Sequence, residues 1–205
     1  MNIVIKGIEK KDYTSAIQFA IKGMHFDWYF NDGLLRNMYG KYFWYSELNK
    51  ATQILASYVD DKLVGVLLAN MKDESKLHSN VFEKIYVRFI DLLQNTFFKD
   101  SGGLYESTTF NQLQHFLKNH DPDGEIVFLA ADKESNIKGI GTTLLNAFEK
   151  IEKGKLVYLY TDDACNYNFY ERKGFVRNEE DQIILDTPKG DVTLNCYLYS
   201  KRIEI

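Results

Sequence analysis

The stretch from Glu125 to Leu145 constrains this chain more than any other. Glu125-Ile-Val-Phe-Leu-Ala-Ala131 is a short apolar run, Asp132 to Gly141 is a polar turn with two glycines, and the residues that follow repeat apolar positions at helical spacing. A strand that turns directly into a helix leaves about four backbone N–H groups without intrahelical partners, where the summed peptide dipoles place roughly half a positive charge. Such an end is a seat for phosphate. Gly139 and Gly141 carry no Cβ, so a pyrophosphate can approach the amides of Ile137 to Thr142 unobstructed.

Two glycines alone do not decide the ligand. A P-loop needs four residues between its glycines and a Lys-Ser/Thr after the second, which Gly139 and Gly141 do not satisfy; a Rossmann fingerprint needs a third glycine where Leu144 stands. Asn136-Ile-Lys-Gly-Ile-Gly141 instead resembles the acyl-CoA loop of the GNAT N-acetyltransferases, Gln/Arg-x-x-Gly-x-Gly/Ala, with Asn136 at the Gln/Arg position. Glu125 to Ala131 looks like the family's fourth strand, with a glutamate where its histone-acetylating branch keeps its base. Downstream, Leu156-Val-Tyr-Leu-Tyr-Thr-Asp162 reads as a further buried strand, and Asn168-Phe-Tyr-Glu-Arg-Lys-Gly-Phe175 is similar to the family's Phe-Tyr-Glu-x-x-Gly-Phe segment.

The resemblance implies an α/β GNAT fold: a mixed central sheet flanked by helices, as one domain over 1–205. It implies acetyl-CoA as cosubstrate and transfer of its acetyl group to a primary amine by direct attack in a ternary complex. Its cofactor contacts would fall on Leu129 and Ala131, whose backbone would pair with the pantetheine arm, and on Asn136, Ile137, Lys138, Gly139, Ile140, Gly141 and Thr142 around the pyrophosphate. Asn136 is shorter than glutamine and lacks arginine's charge, which leaves Lys138 to compensate. Asn166 and Asn168 stand just before Tyr170; helix capping is the expected role, and Asn166 is also a candidate contact to the cofactor.

Amine acetylation needs a base, because an alkyl ammonium with pKa ~10.4 is neutral in only about one molecule in 2,500 at pH 7. Glu125 matches the family's carboxylate, and its apolar neighbours Ile126, Val127 and Phe128 are of the kind that raise a carboxyl pKa. The alternative is a strand-end carboxylate paired with a lysine. Tyr170 stands at the family's tyrosine, which protonates the departing thiolate; the alternative is a core ring on an amphipathic helix. His115 and Glu106 are further base candidates. Cys165 reads as a small buried residue, and His25, His78, His115 and His120 lack metal-ligand spacing, so no metal is expected. The competing function is a non-catalytic acyl-CoA-binding regulatory domain of the same fold, against which Tyr170 and Glu125 both count.

Composition narrows the partners. The 205 residues suit one well-buried core, and 14 Tyr and 14 Phe imply an aromatic interior or pocket. A net charge of −4 does not suit a nucleic-acid binder, and no run approaches the ~20 apolar residues that would span a membrane. The first residues lack a signal-peptide core, and two cysteines cannot make a disulfide framework, so the expected location is the cytoplasm. The acceptor is expected to be a small-molecule or peptide amine, and pairing of C-terminal strands into a homodimer stays open.

Along the chain, Asn2 to Gly7 reads as a strand, Asp12 to Met24 as a helix capped by Asp12 or Thr14, and Leu34 to Glu47 as a second, aromatic-rich helix. Thr52 to Tyr58 and Leu63 to Met71 flank Asp60-Asp61-Lys62 as a hairpin. Residues 72–120 read as a helical insertion between the third and fourth strands. Its first helix, Val81 to Phe98, carries Val81, Phe82, Ile85, Phe89, Leu92, Leu93 and Phe97 as an apolar stripe, with Asn80 and Glu83 spaced like a capping box. That stripe is expected to pack on the core. A shorter helix around Phe110 to Leu117 follows Ser101-Gly-Gly103, and the insertion is placed over the substrate side. Helix Ile140 to Lys153 should bury Ile140, Leu144, Phe148 and Ile151, and strands Gln182 to Leu185 and Val192 to Leu198 join through Thr187-Pro-Lys-Gly190. Trp28, Tyr29, Phe30 and the run Tyr42 to Tyr45 suggest a ring-lined or cation-accepting pocket near Asp27 and Asp32; the alternative is that the same rings are core.

Overall fold

A computed structural model describes residues 2–97 and 102–205. Among them one seven-stranded sheet runs through the molecule: β1 (Val4–Lys6), β2 (Gln53–Val59), β3 (Lys62–Met71), β4 (Gly124–Ala131), β5 (Leu156–Asp162), β6 (Val176–Leu185) and β7 (Val192–Arg202). Their order is β1-β2-β3-β4-β5-β7-β6, antiparallel throughout except for the parallel pair β4 and β5. Six helices accompany it: α1 (Tyr13–Gly23), α2 (Gly33–Lys50), α3 (Val81–Phe97), α4 (Gly102–Phe116), α5 (Ile140–Ile151) and α6 (Tyr167–Arg172). None of the described helices is long and apolar enough to cross a membrane.

Strand alternation divides the core between the two faces of the sheet. Leu67, Ala69, Ile126, Val157 and Leu159 meet Ile140, Leu144, Leu145 and Phe148 of α5 on one face. Val66, Leu68 and Phe128 meet Ala16, Phe19 and Ala20 of α1 and Trp44 and Leu48 of α2 on the other. Each fully buried large apolar side chain contributes roughly 1.5–3 kcal/mol, so both layers are needed. The hairpin lies where the sequence puts it. Asp60 (φ 47°) and Asp61 (φ 59°) are both left-handed, as a tight two-residue hairpin turn requires.

Several local expectations change. Asp12 stands at the N-cap of α1 without capping it; its carboxylate accepts instead from the Tyr58 hydroxyl at 2.8 Å, tying α1 to β2. On α1, Ala16, Phe19, Ala20 and Ile21 are buried, while Met24 at its end is exposed. Helix α5 ends at Ile151, not Lys153, because Gly154 (φ 79°) turns the chain to donate its N–H to the Ile203 carbonyl at 3.0 Å. Ile151 is consequently exposed, and Leu145 takes its place on the buried face. Strand β6 begins at Val176 rather than Gln182 and pairs with β7 from there to Leu185; the charged run Arg177 to Asp181 masks the alternation at this sheet edge.

The largest reversal is in α3. Val81, Phe82, Ile85 and Phe89 of the predicted core stripe face solvent, Phe82 being 82% and Phe89 54% exposed. Phe98 and Ser101 lie outside the described residues, as does the side chain of Phe97. The other side of α3 is attached to α2 mainly by hydrogen bonds and rings. Tyr42 donates to Asp91 (2.7 Å), Tyr86 donates to the Met38 carbonyl (3.0 Å), and Tyr86 meets Tyr45 edge to face. Tyr42, Tyr45 and Asn49 lie on one side of α2 together with the Met38 carbonyl. Their buried donors and acceptors need partners, and α3 turns its polar side inward to supply them. The capping box is half formed for the same reason: Asn80 Oδ1 accepts from Phe82 N (2.9 Å) and Glu83 N (3.3 Å), while Glu83 is spent on Asn49 (3.0 Å) and His78 (2.7 Å).

Candidate functional site

Strands β4 and β5 are paired only at Gly124↔Val157 and Glu125↔Tyr158. Beyond that point they part. The cause lies in β4, where Leu68↔Phe128 is followed by Ala69↔Ile126, leaving Val127 as an extra residue against β3. A bulge of this kind bends its strand and breaks the ladder, so a wedge opens between Ile126–Ala131 and the end of β5. Leu129 and Ala131 pair with Leu67 and Gly65 of β3 on one side and border the wedge on the other.

The chain leaves β4 through a loop that packs Ile137 on the core and exposes Asn136 and Lys138. Gly139 then adopts φ 83°, and α5 starts without any side-chain cap. Its first amides, at Ile140, Gly141 and Thr142, are therefore left for an external acceptor. A Cβ on Gly139 would meet nothing within 4 Å, and one on Gly141 would meet only the Phe169 ring, at 3.5 Å. The helix end is held close to the sheet by Gly65, where an added Cβ would lie 2.5 Å from Ile140 Cγ2.

Glu125 sits at the apex of the wedge. Its Oε2 accepts from the Tyr158 hydroxyl at 3.1 Å, not from a lysine. Burial raises its pKa from 4.5 to about 7; the Tyr158 bond and Lys50 oppose the shift, and Glu47 adds to it. Tyr170, on α6, lies among the rings of Phe169, Phe175 and Tyr199 at centroid distances of 5.3, 5.7 and 6.5 Å. Its hydroxyl makes no hydrogen bond to a described residue, and desolvation pushes its pKa well above that of an ordinary phenol. Asn166 occupies the N-cap of α6 but does not cap it through its side chain, contrary to the capping expectation. Cys165 is half-buried, its thiol pushed up to about 12 by burial and by the neighbouring Asp162, and its Sγ lies 3.6 Å from the Gly23 carbonyl.

On the α2 side of the wedge a cavity of about 590 Å³ opens, lined by the loop after α1, by α2, by both insertion helices and by the ends of β5 and β7. Phe26, Tyr39 and Phe43 form its wall, Phe26 meeting the other two edge to face at 4.8 and 5.7 Å. Trp28, Tyr29, Phe30 and Tyr42 reach it as the sequence suggests, whereas Trp44 is fully buried in the core and Tyr45 faces α3. Its acids are not the expected ones. Asp27 pairs with Lys189 at the surface and Asp32 caps α2, while Glu47, Glu106 and Asp162 line the cavity. Of the two further base candidates, Glu106 is in this lining and His115 is not; it binds Glu179 of β6 at 2.7 Å. Glu47 was legible as the acid one turn beyond Phe43 on the same face of α2; Asp162 and Tyr105 had no sequence signal. His25 also lines the cavity, in the left-handed region (φ 52°), with a buried Nε2 that no described group pairs.

No protein-family model matches the sequence, and no curated protein matches it either. Solved structures match across nearly the whole chain. A histone acetyltransferase HPA2 and related acetyltransferase from Corynebacterium glutamicum aligns with a TM-score of 0.62 at 14% identity, over 100% of this chain and 98% of its own. An N-acetyltransferase from Staphylococcus aureus Mu50 gives 0.53 at 12% identity, covering both chains fully at 100%. The chain has the GNAT acetyltransferase fold. PaiA N-acetyltransferase from Thermoplasma acidophilum, in complex with coenzyme A, shares this fold with a TM-score of 0.51 at 18% identity over 98% of this chain and 99% of its own. Within the GNAT fold, α3 and α4 are the helical insertion between the third and fourth strands that the sequence led us to expect.

Proposed function

We propose that this chain is an acetyl-CoA-dependent N-acetyltransferase that acetylates a primary amine by direct attack in a ternary complex. One observation carries the reading: the wedge between β4 and β5 has Glu125 at its apex and the uncapped start of α5 at the end of the loop that leaves it. The residues fit the cosubstrate. Pyrophosphate would take the amides from Ile140 to Thr142, and the open faces of Gly139 and Gly141 leave room for it. Leu129 and Ala131 would offer main-chain groups to an extended arm lying in the wedge. The coenzyme A complex of the Thermoplasma relative supports this assignment.

When bound, acetyl-CoA supplies an activated thioester carbonyl. Glu125, with a pKa of about 7, is poised to accept the proton of the incoming ammonium at neutral pH, directly or through a water. The amine lone pair then forms the N–C bond and the C–S bond breaks. Tyr170 keeps its proton at any physiological pH and gives it to the departing sulfur, and the proton that the acylated nitrogen sheds as the amide forms returns to the Tyr170 oxygen. A protonated Cys165 is no nucleophile, which favours direct attack over an acyl-enzyme.

Calorimetric titration with acetyl-CoA, with ATP as control, tests the assignment. Micromolar binding of acetyl-CoA but not ATP, abolished by Gly141→Glu, is the expected result. Absence of acetyl-CoA binding would remove the whole reading. Binding without acetyl transfer to any amine would leave the regulatory alternative.

A further inference from the structure

The cavity on the α2 side of the wedge has a chemistry of its own. We infer that the amine acceptor carries an aryl group, bound against the ring wall of Phe26, Tyr39 and Phe43 and enclosed on the far side by the insertion. This inference rests on the N-acetyltransferase reading of the same site.

Size comes first. About 590 Å³ falls in the range of sites for drug-sized ligands. A short aliphatic amine would leave most of it wet. Surface chemistry comes second. The rings are joined in one continuous wall, Phe30–Tyr39 at 5.1 Å and Tyr39–Tyr42 at 5.6 Å extending the contacts of Phe26. Phe43 meets Phe128 of β4 edge to face at 5.6 Å, so the wall abuts the strand that carries Glu125. Burying an aryl group against such rings is favourable by area and by ring geometry together.

Charge comes third. Among the described residues of the lining Lys50 is the only lysine or arginine, and it is already paired with Glu47 at 3.0 Å. Glu106 and Asp162 make no ion pair with a described residue, and Asp162 uses Oδ1 to accept from the amides of Ala164 and Cys165 at 3.1 and 3.0 Å. An ammonium entering this cavity meets excess negative charge and aromatic faces, both of which attract it. Glu47 and Lys50, both in the lining, act electrostatically on Glu125, and Phe43 on the same helix touches the strand that carries it, so this end of the cavity is the one turned toward Glu125. An aryl amine threaded from the rings toward that end presents its nitrogen to Glu125. Helix α4 brings Tyr105 and Glu106 to the opposite wall, so the insertion takes part in choosing the acceptor.

The test measures acetyl-CoA binding by calorimetry and then steady-state acetylation of ethylamine, 1,4-diaminobutane, 2-phenylethylamine and 2-(1-naphthyl)ethylamine. We expect kcat/KM to rise at least 100-fold from ethylamine to the better aryl amine, with the diamine near ethylamine. Tyr39→Leu should lower the aryl preference at least tenfold while the Kd for acetyl-CoA stays within twofold. Failure to bind acetyl-CoA overturns the acetyltransferase reading and this inference with it. Tight acetyl-CoA binding with a flat series, with the diamine preferred, or with no turnover of either aryl amine overturns this inference alone.

Discussion

Helices α5 and α3 have the same kind of sequence and opposite fates. Both carry apolar residues at three- and four-residue spacing with charges between them. Helix α5 buries Ile140, Leu144, Leu145 and Phe148 beneath the sheet; α3 buries Ile90 and Glu83 and turns Phe82, Ile85 and Phe89 to solvent. The difference lies in what each helix meets. The sheet offers α5 an apolar face, whereas α2 offers α3 a stripe of hydroxyl, carbonyl and amide groups whose hydrogen bonds must be made. Amphipathicity says that a helix has two sides. Which side goes inward depends on the partner.

The comparison can be broken from either end. Phe148→Ala on α5 is expected to cost about 3–5 kcal/mol in denaturant unfolding, since the ring is fully buried. A cost below about 1 kcal/mol would mean that α5 is not the core helix described here.

On the sheet between the helices, the raised pKa of Glu125 makes stability depend on pH, and in the proposed mechanism activity as well. Its folded pKa of about 7 exceeds the ordinary 4.5, so between those values the folded protein holds a proton that the unfolded chain has released. Stability therefore falls as pH rises through that window, by about 3 kcal/mol in all. Glu125→Gln should keep a hydrogen bond from Tyr158, abolish that decline, and be the more stable protein at pH 8. Its turnover should drop at least tenfold, and the wild-type rise of kcat/KM through pH 7 should vanish. Chemical unfolding at several pH values, alongside rate profiles, checks both halves; parallel stability curves for the two proteins would count against the buried, protonated carboxyl.

Tyr170→Phe tests α6 beside the start of α5. Turnover is expected to fall about 100-fold, equivalent to about 2.7 kcal/mol, with acetyl-CoA affinity unchanged. An equal loss in affinity would make Tyr170 a packing residue. Ile90→Ala, at the one buried aliphatic position of α3, should cost about 2 kcal/mol and raise the acceptor KM more than that of acetyl-CoA. The smallest effect sharpens the contrast most: Phe82→Ser should change stability by no more than about 0.5 kcal/mol. A loss of 2 kcal/mol there would restore the inward-facing stripe that the sequence pattern predicts.

The elements that the sequence located well are those whose signals are contiguous. The hairpin turn at Asp60-Asp61, the β4–turn–α5 unit and the Tyr170 segment each draw their conformation from neighbours in the chain, through left-handed turn residues, helix periodicity and strand length. Ends were less legible where a distant group set them, as with the Gly154–Ile203 hydrogen bond that stops α5 and the edge pairing that extends β6. The cavity was legible in part. Its rings announced themselves by clustering, but Asp27 and Asp32, nearest in sequence, are spent on Lys189 and on capping α2.

By itself, then, the sequence determined the order of strands and helices, the strand–turn–helix passage into α5 and the elements on which Glu125 and Tyr170 stand, because each depends on local spacing or on a short motif. Tertiary structure alone decided the splay of β4 from β5, the outward turn of α3 and the convergence of Glu47, Asp162, Tyr105 and Glu106 around the aromatic wall. These are outcomes of pairing between segments distant in the chain. A bulge exists only against a partner strand, a helix face is buried only against a partner face, and neither partner is written in the local pattern.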